Sequence, residues 1–353
     1  MNAIGSLGVS LAAITLASIP SGSVSDSPTR NAPPAGGTHH ATRQLEMPEV
    51  GDLRYSYLPA TPVTATLAPK QSDEPRHQVR NIRTAAGDEI HLAISAEYAA
   101  HEAVIVAWAD FIGSLLHGSE LSDVEFWILR PSEIAEVCGP PAVACYFAGL
   151  PLSIFTPGED VSADLTAEAI LAHEYGHHLA NSRSNSPWGA LSYGTKRWAT
   201  YANVCAAVLA GQFYPGDQSE HYRFNPAEGF AEAYRVANQR RLGVAEMPWL
   251  IVDEIFYPDP TALRLIEQDV VDPWTGHSTV TYRGRFTPGG PSRRTFEVST
   301  PLDGIATASI RAAKGVTVRV TQSTATVCGQ RTTYFTVRRL KGFGSFELVA
   351  SRP

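Results

Sequence analysis

The chain has 353 residues, with 28 Lys+Arg against 35 Asp+Glu and a formal net charge of −7. That length leaves room for two domains, and 44% apolar residues support a filled core. A chain without a basic excess makes nucleic acid and anionic membranes poor partners, and 18% charged residues with 28 Gly and 25 Pro suits an exported, loop-containing protein better than a charged cytosolic one.

Residues 1–23 read as a signal peptide. Met1 to Ile19 run apolar and uncharged, followed by Pro20 and the small-residue stretch Ser21-Gly22-Ser23. The run has no basic n-region and no A-x-A cleavage site, while its Gly and Ser content argues against a stable membrane anchor. No later segment is long and apolar enough to span a bilayer. Residues 24–78 are rich in Ser, Thr, Pro, Ala and Gly and lack periodicity, so they read as a disordered linker or a pro-segment.

An α+β domain is expected over 79–272. "VRNIRT", "GDEIHLAIS" and "DVEFWILR" read as strands, with "AEYAAHEAVIVAWADFIGSLLHG" as a helix between the last two. "ACYFAG" and "PLSIFTP" follow as short strands. "SADLTAEAILAHEYGHHLANS" then reads as a helix with Ser162 as N-cap and Leu165, Ile170, Leu171 and Leu179 as apolar positions. Its Gly176 costs about 1 kcal/mol relative to Ala in a helix interior, which points to close packing there. "TKRWATYANVCAAVLAG" reads as one further helix stopped at Gly211. "NPAEGFAEAYRVANQRRLG" has Asn225 as N-cap, Pro226 at N1 and Gly243 past the end, and "DPTALRLIEQDVVD" starts the same way at Asp259-Pro260. From 276 to 353 six alternating apolar/polar runs separated by Gly, Pro and Asp turns read as an all-β sandwich. No residue set in that module points to chemistry; by pattern and position it resembles the C-terminal β-sandwich (pre-peptidase-type) modules appended to secreted bacterial peptidases.

Four cysteines allow three pairings. Export favours disulfides over free buried thiols. Cys138 and Cys145 bracket "GPPAVA" and can close locally, which leaves Cys205 with Cys328. No C-x-x-C occurs, so the cysteines do not form a zinc-ligand pair.

The chemistry is concentrated in "HEYGHH". On a helix, His173 and His177 lie one turn apart on one face and can reach the same zinc ion. Glu174 then points at the open coordination position, where it can act as a general base on water. His178 points about 100° away from His177 around the helix and is expected to pack rather than ligate. A tetrahedral site needs a third ligand. Ala180 and Arg183 stand where a metzincin needs Gly and His, and Asp217 is the only acid between His178 and Gln218, too far for a thermolysin-like helix. The first rich source of acids is "NPAEGFAEAYR", with Glu228 and Glu232 at i, i+4. One carboxylate can complete a His₂Glu set and the other can hydrogen-bond a ligating imidazole.

H-E-Y-G-H followed some fifty residues later by A-E-G-F-A-E-A-Y-R resembles the gluzincin metallopeptidases of the anthrax lethal factor catalytic-domain type. The resemblance covers about Leu171 to Arg235. It implies a zincin-like fold, one Zn²⁺ ion held by His173, His177 and Glu228, Glu174 as general base and Glu232 behind His173 or His177. The family also places a tyrosine shortly before the ligating glutamate to stabilise the oxyanion; "SEHYRFN" offers Tyr222 and His221 for that role. In zincins a strand just before the active-site helix, here within "ACYFAGLPLSIF", pairs with extended substrate. The expectation is a secreted, monomeric zinc metalloendopeptidase acting on a peptide or protein substrate, extracellular, either free or wall-associated. Its rival is a non-catalytic cell-surface or cell-wall binding protein with a structural or vestigial zinc site.

Overall fold

The computed structural model describes residues 54–58 by their backbone, and residues 79–98, 101–323 and 327–353. The expected signal peptide and most of the expected linker lie outside the described residues. Five residues of that linker or pro-segment do not: Arg54–Leu58 form β1. The composition hides this strand because one short segment supplies little periodicity, and its partner is a distant part of the chain.

In chain order there follow β2 (Arg80–Arg83), β3 (Glu89–Ile94), α1 (His101–Ser114), β4 (Val124–Leu129), α2 (Pro131–Cys138), β5 (Ala142–Phe147) and β6 (Leu152–Pro157). The strands make one sheet in the order β1-β5-β6-β4-β3-β2. β3, β4 and β6 run parallel, whereas β5 is antiparallel to β6 and β1 is parallel to β5. β5 therefore reverses direction beside the parallel strands, and β1 takes its outer edge. Buried Ile90, Leu92, Phe126, Ile128 and Ile154 build the core of this sheet.

α3 (Ala167–Asn181) packs on β5 and β6. It is buried from Ala169 through Ala180 on every side, as expected for a helix enclosed by a domain. Its N-cap is Thr166, whose hydroxyl accepts from the Ala169 amide, and Asp160 accepts from Ala167 at 2.9 Å. Ser162 is therefore not the cap: Ser162 and Leu165 pair in an isolated bridge that delays the helix by one turn.

After the two-residue strands β7 (Ser184–Asn185) and β8 (Trp188–Gly189) come α4 (Ala190–Tyr193), α5 (Lys196–Tyr201) and α6 (Val204–Leu209). The single helix expected from 195 to 211 is two, because Asn203 adopts a left-handed conformation at φ 57° and breaks the hydrogen-bond ladder. α7 (Pro226–Leu242) has its Asn225 N-cap, Pro226 at N1 and left-handed Gly243 C-cap as read from the sequence. α8 (Pro260–Val271) is capped by Asp259.

β9 (Ser278–Phe286), β10 (Arg293–Thr300), β11 (Thr307–Ala312), β12 (Thr317–Gln322), β13 (Arg331–Lys341) and β14 (Gly344–Arg352) form two antiparallel three-stranded sheets, β10-β13-β12 and β11-β14-β9. Phe286, Val298, Phe335, Val337, Phe346 and Leu348 fill a second core. The chain is thus a mixed α+β structure with a sheet core and additional β-sheets. Asp52–Pro353 nevertheless form one compact unit. Disulfides join Cys138 to Cys145 and Cys205 to Cys328; the second ties α6 to the β region across 123 residues of sequence. Both fit an oxidising compartment. Among the described residues no helix is long and apolar enough to cross a membrane.

The tightest helix contact is between α3 and α7. A Cβ built on Gly176 would lie 2.8 Å from Ala231 Cα and 3.2 Å from Ala231 O, so the two backbones touch. Gly176→Ala is expected to cost about 1–2 kcal/mol net, overpacking outweighing the gain in helix propensity. Denaturant unfolding measures this, and an unchanged midpoint would show that the helices separate freely.

Candidate metal centre

The Gly176–Ala231 contact sets the spacing of the functional residues. His173 and His177 lie one turn apart on α3, Glu228 and Glu232 one turn apart on α7, and all four side chains are buried. His173 Nε2 lies 3.2 Å from Glu228 Oε2, and His177 Nε2 lies 3.3 Å from the same oxygen. Each of the three residues has a ligand atom within 4.8 Å of the others. For metal–ligand bonds of about 2.0–2.1 Å, the edges of a coordination tetrahedron are about 3.3 Å. The two separations match such edges, so the His173-His177-Glu228 group can hold a metal ion.

The surrounding groups orient this set. Glu232 Oε1 lies 2.9 Å from His173 Nδ1, which leaves Nε2 to face the centre. The other Glu232 oxygen accepts from the Arg235 guanidinium, which also donates to Gln239. Tyr222 donates its hydroxyl to Glu228 Oε2 at 2.9 Å, and Gln218 donates to Glu228 Oε1 at 3.0 Å. Of the two residues offered by "SEHYRFN", Tyr222 reaches the centre. His221 does not: it is half-exposed, stacked on Tyr214 at 3.8 Å and paired with Asp217 at 3.1 Å. Gln218 went unrecognised in the sequence, because a lone Gln in a loop carries no periodicity or motif.

His178 takes a packing role. Its Nε2 lies 2.8 Å from the Glu120 carbonyl oxygen, and its ring lies edge-on to Tyr146 and Tyr175. Glu120 in turn accepts from Tyr175 and Arg183, so a buried polar network braces the back of α3. Cys138, Cys145, Cys205 and Cys328 are all bonded and lie outside the centre.

Burial disfavours charge on His173, yet the carboxylates of Glu228 and Glu232 outweigh it and hold its pKa up at about 10. Burial also opposes ionisation of Glu228, but His177 and His173 hold its carboxyl well below the ordinary range. Glu174 goes the other way: burial raises its pKa to about 8, against a counter-pull from His173 and the Tyr146 backbone. Both Glu174 oxygens are buried without a hydrogen bond of normal geometry among the described residues. An orphaned buried carboxylate is costly unless something occupies the space it faces.

The charges of the surrounding groups are compatible with a divalent ion. Protonated His173 and Arg235 balance the ionised Glu228 and Glu232, and protonated Glu174 is neutral, so these five groups sum to zero net charge. Replacing those two protons by one dication leaves the total unchanged, so the buried site accepts the exchange without acquiring uncompensated charge.

Comparison of the chain with known protein families, with curated proteins and with solved structures finds no match.

Groups with raised pKa values hold their protons up to about 8 for Glu174 and about 10 for His173, so metal affinity should increase with pH through that window. Zn²⁺ added to metal-free protein at neutral pH should displace about two protons per ion. Calorimetry in buffers of different ionisation enthalpy counts them, and zero release would contradict the buried proton pair.

Proposed function

We propose that the protein is a secreted zinc-dependent metalloendopeptidase with a zincin-like α+β fold, similar to the gluzincins of the anthrax lethal factor catalytic-domain type. One observation carries the reading: two imidazole nitrogens each lie at a tetrahedral-edge separation from the same Glu228 carboxylate oxygen, beside the buried carboxylate of Glu174. Two imidazoles and one carboxylate suit Zn²⁺, with a fourth position left for chemistry. When bound, the ion would polarise a scissile carbonyl and make water acidic enough to ionise near neutral pH.

The protein's own groups supply the rest. Glu174, whose buried carboxylate oxygens have no hydrogen bond of normal geometry, takes the proton of the attacking water and returns it to the leaving amine. Tyr222, already within reach of a ligand oxygen, donates to the developing oxyanion, whereas His221 is paired with Asp217 and stacked on Tyr214 instead. Glu232 and Arg235 hold the His173 ring in place.

An extended peptide would pair with the edge of β5, the strand whose Tyr146 backbone borders Glu174. β1 takes that edge in the full chain. On this reading the segment before residue 79 behaves as a pro-segment, and β1 must leave before substrate binds. The same two facts, buried ligands and an occupied edge, also favour the non-catalytic alternative, in which a metal ion only ties α3 to α7.

Glu174→Gln should lower kcat about 10²–10⁴-fold while leaving bound zinc unchanged; full activity in that variant would exclude the mechanism. Tyr222→Phe should lose about 10–10³-fold in kcat with zinc retained. Protein lacking residues 1–78 should cleave a peptide library faster than the full chain and exchange its 142–147 amides faster. No chelator-sensitive cleavage by either form, with one zinc bound per chain, would favour the structural role.

A further inference from the structure

The net charge of −7 conceals a strong segregation. Residues 276–353 carry twelve Lys+Arg and three Asp+Glu, a formal +9, so the preceding residues carry −16. Ten of those twelve cations are arginines. The low basic content of the whole chain, which argued against acidic partners, therefore says nothing about this region.

The two sheets of the region treat their arginines differently. Across β11-β14-β9, Arg311 stands opposite Glu347, and Glu347 stands opposite Arg283, with Arg283 Nε 3.2 Å from the carboxylate. That row is partly neutralised within the sheet. Across β10-β13-β12, Arg293 stands opposite Arg338, and Arg338 stands opposite Arg319. All three are exposed on the outer face, because Phe335 and Val337 on the alternate positions of β13 point into the core. None of the three has an acidic partner among the described residues. Like charges directly opposite one another destabilise a sheet, so this row is costly unless an external anion meets it.

The next row inward is Thr295, Thr336 and Thr321, in register with one another. Beyond it lies Tyr334, 43% exposed, opposite Glu297. The face therefore offers three guanidinium forks, a line of hydroxyls and one aromatic ring on a sheet surface. We infer that this face binds an acidic polysaccharide carrying uronic-acid carboxylates. Arg forms paired hydrogen bonds with carboxylate that Lys cannot match. The threonine hydroxyls meet sugar hydroxyls, and the Tyr334 ring offers a flat apolar surface to a sugar ring. A lipid surface would use the charge but not the hydroxyl row. Exposed Phe343, a side chain that could enter a lipid surface, is already covered by the Arg339 guanidinium, 4.2 Å from its ring centroid.

The test measures binding of the full chain to polygalacturonate, dextran, polyphosphate and phosphatidylcholine vesicles containing phosphatidylglycerol. Polygalacturonate should bind and weaken as NaCl rises from about 0.05 to about 0.3 M; dextran should not bind. The triple variant Arg293→Gln, Arg319→Gln, Arg338→Gln should weaken binding about tenfold or more, with its unfolding temperature unchanged or raised, because the residues are exposed and their mutual repulsion is removed. Arg283→Gln with Arg311→Gln, on the opposite sheet, should change it less than about twofold. Tyr334→Ala should weaken binding to polygalacturonate but not to polyphosphate. The inference falls if the triple variant binds as well as the original chain, or if the opposite-sheet variant loses as much. It falls equally if dextran is retained, if vesicles are captured while polygalacturonate is not, or if Tyr334→Ala leaves polygalacturonate binding unchanged. None of these outcomes depends on whether the protein cleaves peptides.

Discussion

The backbone contact between α3 and α7 is the constraint on which the candidate centre depends. Gly176 lets Ala231 come so close that no Cβ fits between them, and the ligands one turn away on each helix converge as a result. A larger residue at 176 would push the helices apart and lengthen the separations between the imidazoles and Glu228. The intrinsic cost of a mid-helix glycine is about 1 kcal/mol and falls on the folded state whether or not metal is present. Packing of two fully buried helices offsets it.

Around that contact the protein gathers an unusual density of buried charge: His173, Glu174, Glu228, Glu232 and Arg235 all lie below the surface. Buried charges are tolerated when they are paired, and every member but Glu174 has a partner of opposite charge. The polar brace behind α3, running through Glu120, Tyr175, Arg183 and His178, is fully hydrogen-bonded and holds the helix from the other side. Rigidity on both faces is what a metal centre requires, since ligand atoms must hold position before the ion arrives.

Elements governed by local rules were legible in advance. The α7 boundaries followed from Asn225, Pro226 and Gly243, because each residue satisfies a need of its own helix end. The six C-terminal strands followed from alternation. Elements governed by context were not: Ser162 looks like a cap, but its pairing with Leu165 moves the helix start to Thr166. Asn203 splits one expected helix into two, and β1 exists only because β5 offers an edge. Gln218 joins the centre through a loop whose path no motif records.

The sequence by itself determined the chemical identities and helical spacing of the two halves of the site, since i, i+4 on a helix always shares a face. It also determined the arginine content of the C-terminal module. Tertiary structure alone decided that His173, His177 and Glu228 meet at one point, that Tyr222 joins them while His221 does not, and that three arginines fall in one cross-strand row. The reason in each case is that convergence depends on the packing distance of helices and the register of strands. Those are set by contacts between residues tens of positions apart, which no local pattern encodes.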